Sequence, residues 1–128
     1  MIRGMDEPFY ADSATVRYKA VKQNGASRCT VVTGAGDLVL GILQETVQAA
    51  DVSAGVGRRV VAVRTDGTSI VEAGAAVAAG VEVKVTATGQ FIGVAAVSDL
   101  IVGRARTAAG AANDWFEIDL YPSRNGVA

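Results

Sequence analysis

Polar and apolar positions alternate with a period of two along several short runs of this chain, and glycines or Asn/Asp-Gly pairs stand between them. VEVKVTA (81–87) sets Val81, Val83 and Val85 against Glu82 and Lys84, so one face of the strand is dry and the other wet. WFEIDLY (115–121) turns Phe116, Ile118 and Leu120 inward against Trp115, Glu117, Asp119 and Tyr121, and VRYKAVK (16–22) alternates Val16, Tyr18 and Ala20 with Arg17 and Lys19. RCTVVT (28–33) and LVLGILQ (38–44) read as buried strands, and RVVAVRT (59–65), TSIVE (68–72), QFIGVAAV (90–97) and LIVGRAR (100–106) read as further strands. The turns fall at Asn24-Gly25, Gly34-Ala35-Gly36 and Thr88-Gly89, with a tight hairpin expected at Asp66-Gly67. About nine short strands result, with Val61, Val63, Val83, Val85, Ile92, Ile118 and Leu120 among the inward set.

Helix has little claim on the chain. QETVQAAD (44–51) and RTAAGAAND (106–114) are short, the second is broken by Gly110, and both read as loops or single turns. EAGAAVAAG (72–80) is rich in alanine but bracketed by Gly74 and Gly80 between strong strands, which predicts an extended connection. A pattern also occurs twice: DLVLGILQETVQAADVSAG (37–55) and DLIVGRARTAAGAAND (99–114) carry Gly41 and Gly103 at matching places inside apolar runs. A glycine there marks a bulge or a close backbone approach. The reading is an all-β domain of two similar halves, a small barrel or sandwich over residues 29–128, preceded by an N-terminal arm, residues 1–28, that ends in its own strand.

Composition refines this picture. At 128 residues, half of them apolar, the chain suits one domain with a real core, but most of the apolar content is alanine and valine. Six of the seven aromatics lie near the ends: Phe9, Tyr10 and Tyr18 in the arm, and Trp115, Phe116 and Tyr121 in the last strand. The large anchoring groups therefore sit on segments placed to reach a neighbour. Twelve basic and thirteen acidic residues give no net field to attract nucleic acid or an anionic membrane, and Arg58–Arg59 and Arg104/Arg106 read as solvated or edge charge. Cys29 is the sole cysteine and lies in an apolar run, where a buried thiol is expected. MIRGMDEPFYADS lacks the apolar stretch of a signal peptide, and every apolar run is interrupted before it could span a bilayer, so synthesis and use in a cytoplasm are expected.

Catalytic constellations are missing. With no histidine in the chain, a serine triad, a His-assisted thiol and the usual zinc sites each lack a part. Asp37, Asp51, Asp66, Asp99 and Asp114 stand beside turns, where a carboxylate bonds to nearby backbone. VTGAGD (32–37) has neither phosphate-loop spacing nor a following helix start. The expectation is a non-enzyme with no cofactor and no metal.

The succession GILQETVQAADVSAG, VVAVRTDGTSIV, EAGAAVAAGVEVKVTATGQF and VGRARTAAGAANDWFEIDL, over about residues 34 to 121, resembles the small capsid cement, or decoration, proteins of tailed bacteriophages. That family shows a glycine-led strand, an Ala-rich turn, a "vavategv" hairpin, a "GaavtaGd" connection and a second "Gral" strand. The resemblance implies a β-barrel or β-tulip module on the outer surface of an icosahedral head, a structural virion protein that bridges major capsid proteins, often as a homotrimer. The longer leader departs from the family pattern. Its polarity, its aromatic pair and its terminal strand suit docking, so Arg3, Phe9, Tyr10, Arg17 and Tyr18 are candidates for capsid contact. Phe91 and Trp115 are candidates for an oligomer interface. The alternative is a small-ligand or carbohydrate-binding barrel accessory to a virion, which calls for a concave pocket with convergent aromatic and polar groups.

Overall fold

A computed structural model describes residues 4–34, 37–48, 60–94 and 100–121. Among them the chain is all β, with nine strands and no helix: β1 (Gly4–Ala11), β2 (Ala20–Gln23), β3 (Arg28–Val31), β4 (Gly41–Leu43), β5 (Val60–Glu72), β6 (Glu82–Val85), β7 (Phe91–Gly93), β8 (Gly103–Ala105) and β9 (Trp115–Leu120). They form one sheet in the order β1-β3-β2-β4-β5-β9-β8-β6-β7, and β1 pairs back onto β5. The first five strands thereby close a ring. The remaining four curl the other way from β5, and a parallel bridge between Ala73 and Phe91 brings β7 round to the end of β5.

The 13 residues of β5 serve both rings. Its first half pairs antiparallel with β1 (Phe9 opposite Val61) and with β4 (Leu43 opposite Val63), whereas Gly67–Glu72 pair with β9. Three pairings show that the rings are copies, related by a shift of 62 positions from β1 to the connection after β4, the distance from residue 41 to residue 103, and by 55 positions between the first half of β5 and β9. The isolated bridge Thr15–Val47 recurs as Val77–Ala109. Asp12 N–H donates to Cys29 O and Gly74 N–H to Phe91 O, each at 2.8 Å. A Cβ on Gly41 would lie 2.3 Å from Arg64 O, and one on Gly103 would lie 2.4 Å from Asp119 O. The two matching glycines are thus sites where a neighbouring strand's backbone leaves no room for a side chain.

Each ring has its own interior. Ala11, Val21, Cys29, Leu43, Val47, Val61 and Val63 fill the first, with Phe9 and Leu40 packed against them. The corresponding places in the second are Ala73, Val83, Phe91, Ala105, Ala109, Phe116 and Ile118, which belong to a larger cluster that also takes in Ala20, Val32, Val39 and Ile42 from the outside of the first ring. Volume is redistributed between copies: Cys29 and Leu43 in one ring become Phe91 and Ala105 in the other.

Several sequence expectations change here. Residues 4–23, read as part of an arm, supply β1 and β2 of the first ring, and the sheet has no boundary at residue 28. In the 16–22 run only Ala20–Lys22 belong to a strand. Asp66-Gly67 makes no hairpin: β5 continues through it, with Gly67 at a φ of 92°, and the β1 register slips opposite it between Met5 and Asp6. The local signal for positive φ is genuine, but it is used as a bulge at which β5 exchanges partners. Of the expected core, Val61, Val63, Val83, Val85, Ile118 and Leu120 are buried, whereas Ile92 is half-buried and Phe91 points inward in its place. The connections at 44–48, 72–80 and 106–114 are non-helical, as expected.

Candidate interaction surface

The connection from β1 to β2 crosses the junction of the two rings, and its residue Tyr18 holds a φ of 73°. Both of its backbone groups are tied down: its N–H donates to Leu43 O at 2.7 Å, and its carbonyl accepts from Glu72 N–H at 3.0 Å. At the equivalent place the second ring has Gly80, with a φ of 87° and an N–H donating to Ala105 O at 2.8 Å. A non-glycine residue in this left-handed region costs about 1 kcal/mol or more, so the first ring carries its tyrosine against a backbone preference.

That backbone sets the Tyr18 ring edge-on to the Trp115 indole, with centroids 4.8 Å apart and planes at 84°. The Arg17 guanidinium lies over both rings, 5.0 Å from the Tyr18 centroid and 5.2 Å from that of Trp115. Trp115 is 50% exposed. Nearby acids are already engaged: Glu72 accepts from Gln90 Nε2 at 2.7 Å and lies 3.8 Å from Lys19 Nζ, and Asp114 accepts from Ala111 N–H at 3.1 Å. Arg17 faces no carboxylate among the described residues.

On the other side of this connection runs a groove of about 520 Å³. Val16, Val31, Val32 and Val47 give it apolar walls, while Thr15, Thr33, Thr46 and Thr88 add hydroxyls and Lys19 a charge. Thr46 Oγ1 accepts the Arg17 N–H at 3.3 Å, which joins groove and aromatic patch into one surface. Sequence reasoning singled out Arg17, Tyr18 and Trp115 for two different roles, and the fold brings them together. The groove threonines come from separate connections, and no local signal in the sequence marks them.

The other candidates are placed differently. Phe9 packs against the interior of the first ring, and Tyr10 is half-buried on β1 opposite Val60 and Arg28. Phe91 is 0% exposed, so as an oligomer-interface residue it is corrected to a core residue of the second ring. Arg3 lies outside the described residues.

Little else in the structure has reactive chemistry. Cys29 is buried, and loss of solvation pushes its thiol up to about 11, which makes it a poor nucleophile at neutral pH. Asp12 is held below its ordinary value chiefly by hydrogen bonds from Arg28, whose Nε lies 2.9 Å from Oδ1, with a further bond from Asn24. Asp37 is likewise lowered, first by the Thr33 N–H at 2.9 Å and then by Lys22. Asp37 and Asp114 each bond to backbone N–H groups of their own turns, the role expected of them; Asp66 accepts the Gly67 N–H at the bulge inside β5 rather than in a turn, and Asp51 and Asp99 lie outside the described residues. No group of three or more metal-ligating side chains comes together among the described residues.

No family model matches the chain, and no curated protein matches it. Among solved structures it is similar to the N base of the head fiber protein gp8.5 of bacteriophage phi29. The two share 12% sequence identity at a TM-score of 0.59, over 94% of this chain and 96% of that one. At that identity the likeness shows a common fold: both rings together, not one barrel, have a counterpart in the base of a phage head fiber.

Proposed function

We propose that this protein is a structural component of a phage virion, a head decoration protein that sits on the outside of an icosahedral head and bridges major capsid proteins. The observation that carries the reading is the match of the whole two-ring body to a head fiber base, nearly end to end in both chains. The sequence resemblance to capsid cement proteins leads to the same place by a separate route. Many copies bound to an assembled shell, but not to its dissociated subunits, stabilise the shell by mass action without any chemical step. A homotrimer would add avidity, each contact remaining modest. The exposed Arg17 and Trp115 and the half-buried Tyr18 are of the residue types that dominate protein interfaces.

The test is cosedimentation of purified protein with heads lacking it, followed by reconstruction of the decorated heads. Saturable binding at fixed positions on the outer surface supports the reading, and protein left in the supernatant at micromolar concentration overturns it. Native mass spectrometry of the free protein and occupancy at local threefold axes decide the trimer. The threonine-lined groove favours a second reading, a small-ligand or carbohydrate-binding accessory of a virion. Glycan-array binding by the free protein, without binding to heads, would establish that reading instead.

A further inference from the structure

We infer that the patch formed by Arg17, Tyr18 and Trp115 is a docking surface for an acidic segment of the capsid protein, with a carboxylate on Arg17 and an adjoining apolar side chain in the groove beside Val16 and Val47. This rests on the head-decoration reading above and adds the partner's chemistry. Three observations lead to it. The guanidinium is exposed yet oriented in advance by two aromatic faces, so little side-chain freedom is lost when it pairs. Its charge is uncompensated among the described residues, because Glu72 is taken by Lys19 and Gln90 and Asp114 by its own turn. Among the described residues no acid lines the adjoining groove, and Lys19 is the one charged residue there. Charge complementarity therefore selects an anionic partner.

The duplication shows that the fold itself does not require these side chains. The second ring closes through the same hydrogen bonds with Ala79, Gly80 and Val81 where the first has Arg17, Tyr18 and Lys19, and the place of Trp115 is held by Val60 on β5. Ring two adopts the left-handed turn with glycine, while ring one places a tyrosine there. A strained residue that the scaffold can do without, set beside an exposed tryptophan and an arginine with no carboxylate partner among the described residues, has the character of a binding site.

The experiment measures head binding by cosedimentation for the wild type, Arg17→Gln, Arg17→Lys and, as a control at the equivalent position of the second ring, Ala79→Gln. Trp115 is the only tryptophan, so its fluorescence reports the patch directly during the same titration. Arg17→Gln should bind at least about tenfold more weakly. Arg17→Lys should recover only part of the loss, since an ammonium cannot form the paired bonds of a guanidinium, and Ala79→Gln should bind as the wild type does. Trp115 emission should change as the wild type saturates the heads. If Arg17→Gln binds like a wild type that itself binds, this inference falls and the decoration reading stands. A wild type that does not bind overturns both. If Arg17→Gln alters self-association of the free protein and leaves head binding intact, the occupant is a second copy and the capsid assignment is overturned.

Discussion

The first ring and the second follow the same path but are fastened by a different balance of charged and apolar contacts. In the first, a carboxylate and a guanidinium join the end of β1 to β3: Asp12 receives both Nε and Nη2 of Arg28, with Asn24 Nδ2 at 3.0 Å. Asp6 and Arg64 tie β1 to β5, and Lys22 and Asp37 lie 3.2 Å apart beside β2. At the places of Asp12, Asn24 and Arg28 the second ring has Gly74, Thr86 and Gln90, and its interior holds Phe91, Phe116 and Ile118. What the copies share is backbone, namely the crossing glycines, the bridges and the turns of positive φ. Closure of such a ring is thus set by main-chain geometry, and polar fastening or apolar filling are interchangeable ways of stabilising it.

The sharpest way to break the comparison is from inside the second ring. Ile118→Asp would bury an unpaired charge in the cluster that spans both rings, and no folded protein should remain by circular dichroism. Phe91→Ala should cost about 3–5 kcal/mol, against roughly 1 kcal/mol for Cys29→Ala at the equivalent place, as read from denaturant midpoints. Thiol labelling adds a ring-specific probe, because Cys29 lies inside the first ring. If Phe91→Ala accelerates labelling of Cys29 in proportion to its loss of stability, the rings unfold as one unit.

Gly41→Ala and Gly103→Ala test the equivalence itself. Each places a methyl group against a strand carbonyl, and each should destabilise by about 1–3 kcal/mol or more, by similar amounts. A large effect at one and none at the other would contradict the repeat. Asp12→Asn tests the polar fastening. The native pKa of Asp12 is lowered, so its contribution is full above about pH 4, the ordinary carboxylate range, and is lost as pH falls through the native value. The stability gap between wild type and Asp12→Asn should therefore be wide at pH 7 and narrow toward pH 3. Asp37 retains part of the acid sensitivity in the variant. The smallest effect is expected at Ser27, a non-glycine residue at a φ of 58° whose counterpart is Gly89 at 82°. Ser27→Gly should stabilise by about 0.5–1 kcal/mol. Gly89→Ser should destabilise, because a Cβ there would come within 2.9 Å of Val31 Cγ2.

Much of this architecture is legible in the sequence. Strict alternation at 81–87 and 115–121 marks β6 and β9, and the glycine-centred runs mark β4, β8 and the duplication. β1 is not legible: MDEPFY has no alternation, and Pro8 argues against a strand. It is tolerated because β3 meets β1 only at Tyr10 and Ala11, which leaves Pro8 beside a single partner strand. With β1 read as part of an arm, the repeat is seen only in its second half, although it runs through both rings. Asp66-Gly67 misleads for a different reason, since a positive φ suits a turn or a bulge equally well and only the partners on either side decide between them. At the interaction surface, sequence supplies the residue types but not their meeting, because Arg17 and Trp115 are brought together by the closure of two rings.

β5 has one more consequence, and it concerns force. If the protein sits on a head as proposed, internal pressure would load it, and a tether pulls on chain rather than on surface. Because β5 is a side of both rings, tension carried along it runs parallel to its ladders with β1, β4 and β9, and these must slide together rather than open one hydrogen bond at a time. Two barrels joined by a flexible linker would pass the same load through that linker and rotate. Here the connection between the barrels is itself hydrogen-bonded structure, and the molecule resists stretching along the axis on which its two halves meet.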